Sequence, residues 1–161
     1  MPGPERAWVI TPIRAKHHEA LVPRNWRPGC PEPLADLRWL TVRYWGFDGE
    51  THIDPLVVNE RVAEDVRWVF RQIFHDRFSI KHVALPARYR PKREGWDTTR
   101  SVTAGFNCRP ATGNLGVSSQ HAYGRAIDIN PLQNPYVRAD GSVLRPGRPP
   151  SRRRPWPPHR G

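Results

Sequence analysis

Apolar positions recur along this chain with two different periods, and each period predicts an element. In NERVAEDVRWVFRQIF, Val62, Val66, Val69, Phe70, Ile73 and Phe74 return at three- and four-residue spacing and so share one face of a helix over 59–76. Asn59 suits the N-cap, where a side-chain oxygen accepts from an orphan N–H, and Glu60 complements the helix dipole. Upstream, LRWLTVRYW from Leu37 is rich in aromatic and β-branched residues, Gly46-Phe47-Asp48-Gly49 supplies turn chemistry, and Leu56-Val57-Val58 resumes an apolar run. That pattern predicts a β-hairpin. Ile80 to Leu85 reads as a short strand, followed by Pro86 and a polar segment to about Gly105. Residues 1–33 carry several prolines and little periodicity and read as an irregular lead-in, and no internal repeat is visible.

A chain of 161 residues with 37% hydrophobic content is sized for one globular domain. No window approaches the roughly 18 to 20 continuous apolar residues of a membrane span, and MPGPERAWVITPIRAKHHEA lacks the apolar stretch of a signal peptide. The net charge of +11 suggests a polyanionic partner until its location is considered. RPGRPPSRRRPWPPHRG, residues 145–161, holds six Arg and no acid, so it supplies +6 and leaves +5 on residues 1–144. Its single aromatic, Trp156, argues against single-stranded nucleic acid, which is bound by several stacking residues interleaved with cations. Cys30 and Cys108 lack the spacing of a redox motif or a zinc knuckle, and are either one disulfide or two small buried hydrophobes.

The candidate chemistry lies in SSQHAYGRAIDIN, residues 118–130. Alternation over Ala126–Asn130 predicts a strand with Ile127 and Ile129 toward the core and Asp128 toward a cleft. Fully extended, the chain would hold His121 and Asp128 roughly 20 Å apart, too far to share an ion, but Gly124 permits a bend. Once bent, an imidazole and a carboxylate are ligand types that zinc accepts at about 2.0–2.2 Å. The same spacing also fits a histidine capping a loop and an aspartate bonding backbone groups, and spacing alone does not choose between them.

Ser119-x-His121-x-x-Gly124-x-Ala126-x-Asp128 resembles the S-x-H-x-x-G-x-A-x-D motif of zinc peptidases that cut bacterial cell-wall peptides: D-alanyl-D-alanine carboxypeptidases and dipeptidases, and L-alanyl-D-glutamate endopeptidases. All five motif positions match. The likeness runs over about residues 29–143, through YWGFDG, the helix, FNCRP and HAYGRAIDINPLQNPYV, and is greatest to the endopeptidase-like branch. It implies zinc as cofactor, His121 and Asp128 as two ligands, and Ser119 and Gly124 as supports behind them. Arg109 would be the cation facing the substrate carbonyl or its oxyanion. It further implies a peptidoglycan stem peptide as substrate, a site of action outside the cytoplasm or in the wall, and an approach of Cys30 to Cys108. Tyr89 and Asp97 could line a cleft but read better as ordinary surface residues.

The family's third ligand and general base come from a later D-x-x-H or E-x-x-H, and neither follows Asp128 in this chain. The only later histidine is His159, with Trp156 three residues before it; His17, His18, His52, His75 and His82 read as surface or structural residues. Third ligand and base are therefore unassigned. Pro155-Trp156-Pro157 is what a Pro-Val-Ala-Pro codon run gives when read one base on, so a frame shift near 143–149 is one expectation for the tail.

The expected fold is α+β: a small, largely antiparallel sheet carries the ligand face and the 59–76 helix packs behind it. The expected organisation is a lead-in at 1–33, a carboxypeptidase-like domain incomplete at its C-terminus at 34–143, and a disordered Arg/Pro tail at 144–161. The expected function is a zinc metallopeptidase, weak or inactive as this chain stands. The alternative is a non-catalytic wall or polyanion binder using the tail. Nothing in the sequence sets the oligomeric state.

Overall fold

A computed structural model describes residues 7–86, 101–111, 113–137 and 139–142. The fold is α+β, as the two periodicities predict. Strands β2 (Leu37–Trp45) and β3 (Thr51–Asn59) form the antiparallel hairpin, paired residue by residue from Leu37↔Asn59 to Trp45↔Thr51. Helix α2 (Ala63–His75) packs against β2, and a 3-10 turn, Glu60–Val62, leads into it. Asn59 caps that turn, accepting from the Arg61 N–H at 2.9 Å. Val66 and Phe70 are buried, and Val62, Ile73, Ile127 and Ile129 pack partly buried against the same core. That core also takes in Leu40, Val42, Tyr44, Leu56 and Val58 from the hairpin.

The lead-in is more ordered than its prolines predict. β1 (Ile10–Pro12) pairs antiparallel with β2 at Ile10↔Leu40, and α1 (Ala15–Leu21) follows it. The reason is tertiary. Ile13, Leu21, Val22 and Trp26 join Leu37, Val57, Leu85, Phe106 and Cys108 in a second apolar cluster, which supplies burial that a helix this short cannot supply alone. Cys30 and Cys108 are bonded to each other, Cα–Cα 5.8 Å, tying the lead-in to the segment before β4 (Pro110–Ala111). β4 forms a small antiparallel pair with β5 (Asn114–Ser118).

Two predicted strands are not ladders. At 80–85 only isolated bridges form, Trp45↔Ser79 and Val83↔Thr103. Here side chains replace a neighbouring strand: the Lys81 N–H donates to Asn130 Oδ1 at 2.9 Å and the Val83 N–H to the Tyr44 hydroxyl at 3.4 Å. Over 126–130 the sole bridge is Ala104↔Asp128, because Asn130 turns left-handed (φ 47°) and swings inward to 4% exposure, against the alternation. The three-stranded sheet β1-β2-β3 therefore does not carry the ligand face; segments hung on its β3 edge do. Tyr89, Asp97, the tail from 143 and His159 lie outside the described residues.

Candidate functional site

His121 stands on a single 3-10 turn, Gln120–Tyr123, whose two ends are fixed separately. At the start, Ser119 Oγ accepts from the His121 N–H at 3.3 Å, and the Ser119 N–H donates to the Arg109 carbonyl. At the end, Gly124 takes φ 67°, and its carbonyl accepts from the Asn59 N–H at 2.9 Å. A Cβ at Gly124 would lie 2.6 Å from that same nitrogen, so glycine is required by the approach as well as by the dihedral. Asn59 Nδ2 donates to the Tyr123 carbonyl at 3.2 Å and to Glu32 Oε1 at 2.6 Å, so the helix-capping residue also holds the histidine turn.

The imidazole is oriented from behind. Nδ1 lies 2.8 Å from the Gly105 carbonyl. A carbonyl can only accept, so Nδ1 carries a proton, and in the neutral ring Nε2 presents its lone pair on the other side. Gly105 lies so close to β3 that a Cβ there would overlap the Val57 carbonyl, and the Phe106 N–H donates to that carbonyl at 2.7 Å. The hairpin thus sets the position of the carbonyl that sets the ring.

Asp128 reaches the same place from the opposite side. Its backbone exchanges both hydrogen bonds with Ala104, at 3.1 and 2.9 Å. Its Oδ2 lies 3.3 Å from His121 Nε2, the histidine side chain being 12% exposed and the aspartate 55%. Burial pushes the His121 pKa down, but the hydrogen bond and charge of Asp128, helped by the Gly105 carbonyl, outweigh it and hold the imidazole above its ordinary 6.5. Burial likewise pushes the Asp128 carboxyl up, and the His121 hydrogen bond and charge, then the Arg109 charge, bring it below 3.8. Arg109 is half-buried before β4, and its Nη1 donates to the Pro110 carbonyl at 3.1 Å. Its charge is felt by both His121 and Asp128.

The structure brings His121, Asp128, Ser119, Gly124 and Arg109 to one site. Among the described residues no third histidine, cysteine or carboxylate joins them to form a metal-holding group. Three of the other histidines have places of their own: His17 stacks on Trp39 at 4.3 Å, His52 pairs with Asp48, and His75 pairs with Asp76. Three site-building residues carry no chemical motif in the sequence: Gly105, Asn59 and Asn130. In the sequence Asn59 reads only as a helix cap, Gly105 only as the end of a polar segment, and Asn130 only as the last residue of the alternating run that carries Asp128.

Residues 112–156 match the family model described as D-alanyl-D-alanine carboxypeptidase. The match bears out the family resemblance. It covers less than half of the chain, takes in Ser119, His121, Gly124 and Asp128, stops short of Arg109, and runs past residue 143, where the sequence reading ends the domain. It supports a peptidase-type, hydrolytic function. No curated protein and no solved structure matches the chain. Among the described residues no helix is long and apolar enough to cross a membrane.

Proposed function

We propose that this chain is a zinc metallopeptidase acting on peptidoglycan stem peptides, of D-alanyl-D-alanine carboxypeptidase or L-alanyl-D-glutamate endopeptidase type, with His121 and Asp128 as two of its zinc ligands. The observation that carries this reading is the 3.3 Å gap between His121 Nε2 and Asp128 Oδ2. With Nδ1 committed to Gly105, both facing atoms are acceptors, and two facing acceptors need a cation between them. That cation is a proton or a metal ion. Two donors held tetrahedrally at about 2.0–2.1 Å from zinc sit roughly 3.3–3.4 Å apart, so the separation of the pair matches that of two zinc ligands.

Zinc bound there supplies Lewis acidity and lowers the pKa of a water to about 7. The remaining work falls to the chain. The Gly105 carbonyl fixes the imidazole tautomer and raises its basicity as a ligand, a role whose loss typically costs about 10- to 100-fold in metal affinity. The Arg109 guanidinium offsets negative charge developing on the attacked carbonyl oxygen. Ser119 and Gly124 hold the turn that aims His121. With two protein ligands and no acid/base carboxylate among the described residues, the site binds zinc more weakly than a three-ligand site. It also forgoes the about 10²- to 10⁴-fold that general acid/base catalysis contributes.

Zinc titration of the 161-residue chain by calorimetry, alongside cleavage of cell-wall peptides followed by mass spectrometry, tests the reading. One zinc per chain is expected, with affinity more than ~100-fold lower in His121→Ala, a larger loss than outer groups cause. Cleavage should be slow and sensitive to chelator. Zinc binding unaffected by His121→Ala, or chelator-resistant cleavage, overturns it.

A further inference from the structure

Asn130 lies two residues beyond Asp128 and has every polar group engaged. Its N–H donates to Thr103 Oγ1 at 3.0 Å, its Nδ2 donates to the Ser79 carbonyl at 2.9 Å, and its Oδ1 accepts from the Lys81 N–H at 2.9 Å. Its carbonyl accepts from the N–H groups of Gln133 and Asn134 at 2.9 and 2.8 Å. The residue is 4% exposed and left-handed at φ 47°, a conformation that asparagine tolerates better than most side chains. Thr103 is itself fully buried, as is Ser101, whose hydroxyl accepts from the Leu132 N–H at 3.3 Å. One residue thus joins three segments: its side chain holds 79–81, its N–H holds Thr103, and its carbonyl closes the turn that follows Asp128.

Asp128 needs such a clamp. Its side chain is 55% exposed, so packing does not aim the carboxylate. Its backbone is held on one side by the single bridge to Ala104, and no ladder continues beyond it. Ile127 and Ile129 pack partly buried on either side of Asp128, and the next residue hydrogen-bonded to another segment is Asn130.

We propose that Asn130 is a positioning residue that fixes the direction of the Asp128 carboxylate, and through it the affinity of the His121–Asp128 pair for a divalent cation. This rests on the zinc reading, and its test also has an arm that does not. Asn130→Gly keeps the left-handed backbone and its bonds to Thr103, Gln133 and Asn134, and deletes the side-chain bonds to Ser79 and Lys81. Asn130→Asp keeps shape and backbone tolerance but turns an oxygen toward the Ser79 carbonyl. Val66→Ala, in the core against which Ile127 and Ile129 also pack, serves as a variant that loses packing while keeping every hydrogen bond of the clamp.

Zinc affinity by calorimetry and amide hydrogen exchange of the metal-free chains are measured for all three. Both Asn130 variants should bind zinc at least ~10-fold more weakly than the parent chain, with Val66→Ala within about twofold of it. The Ala104 and Asp128 amides should exchange faster in the Asn130 variants than in Val66→Ala. Parent-like zinc affinity in both Asn130 variants, or an equal loss in Val66→Ala, overturns the proposal. Should the parent chain bind no zinc, the zinc reading fails, and the exchange arm alone decides the clamp. Faster exchange at Ala104 and Asp128 then supports it, and exchange no faster than in Val66→Ala overturns it.

Discussion

The hairpin with its helix and the segment from 101 to 134 are neighbours built by opposite means. The first is held by periodic apolar side chains, with Leu40, Val42, Leu56, Val58 and Phe70 all fully buried in one cluster. The second has few regular elements. Its conformation is fixed by individual polar contacts: Gly105 to His121, Ser119 to Arg109, Asn59 to Gly124, Asn130 to Thr103. Apolar packing is non-directional and tolerant, whereas a hydrogen bond specifies an angle. The region that needs only stability uses the first, and the region that must aim two ligand atoms uses the second.

The sharpest way to break that contrast is to attack the packed half. Phe70→Ala leaves a cavity in the α2 face and is expected to cost about 3–5 kcal/mol. The loss should be read as a lower denaturant midpoint for the whole molecule, reported equally by far-ultraviolet circular dichroism and by tryptophan fluorescence. A loss confined to the 101–134 amides would mean that the two halves are not one cooperative unit.

Next in size is the covalent link between them. Replacing Cys30 and Cys108 together by alanine releases a bridge across 78 residues and is expected to cost about 2–4 kcal/mol. Phe106 and Asn107, beside Cys108, should lose exchange protection before the β2–β3 hairpin does. Uniform loss across both regions would count against a local role for the bridge.

Titration gives the smallest effect, because solvent screens a pair whose aspartate is 55% exposed. His121 has its pKa raised above 6.5, so its contribution is complete below 6.5 and is lost as pH rises through the raised value. Asp128 has its pKa lowered from 3.8, so its contribution is present above 3.8 and is lost as pH falls through the lowered value. For the metal-free chain, the melting-temperature difference between the parent and His121→Asn should therefore be largest between 3.8 and 6.5 and shrink as pH rises through the raised His121 value. A difference that grows above 6.5 would show that the pair is not held together by the proton.

Legibility in the sequence follows the same division. Val62, Val66, Phe70 and Ile73 announce their helix because burial on one face enforces a period, and LRWLTVRYW with GFDG announces the hairpin for the same reason. Residues 10–21 were unreadable because their order comes from contacts with Leu37, Val57 and Phe106, distant in sequence. His121 and Asp128 were visible through a motif that fixes residue types, and Gly124 through the bend it must make. Asn130 was misplaced: strict alternation puts it beside Asp128 on the open face, whereas one left-handed residue turns it inward. Gly105 gave no signal, since a close approach of backbone to backbone leaves no periodic trace.

Asn59 joins Glu32, Tyr123 and Gly124 while ending β3, and the partners it gathers lie up to 65 positions away along the chain. Closing so long a loop is entropically costly until the contacts that reward it exist, whereas the hairpin and helix on either side of Asn59 close locally. The expected order of assembly is hairpin and helix first, with the histidine turn docking later on Asn59. Before residues 123 and 124 arrive, the Asn59 side chain has Arg61 and Glu32 within reach and lacks only its later partners, a socket part-filled ahead of the segment that completes it.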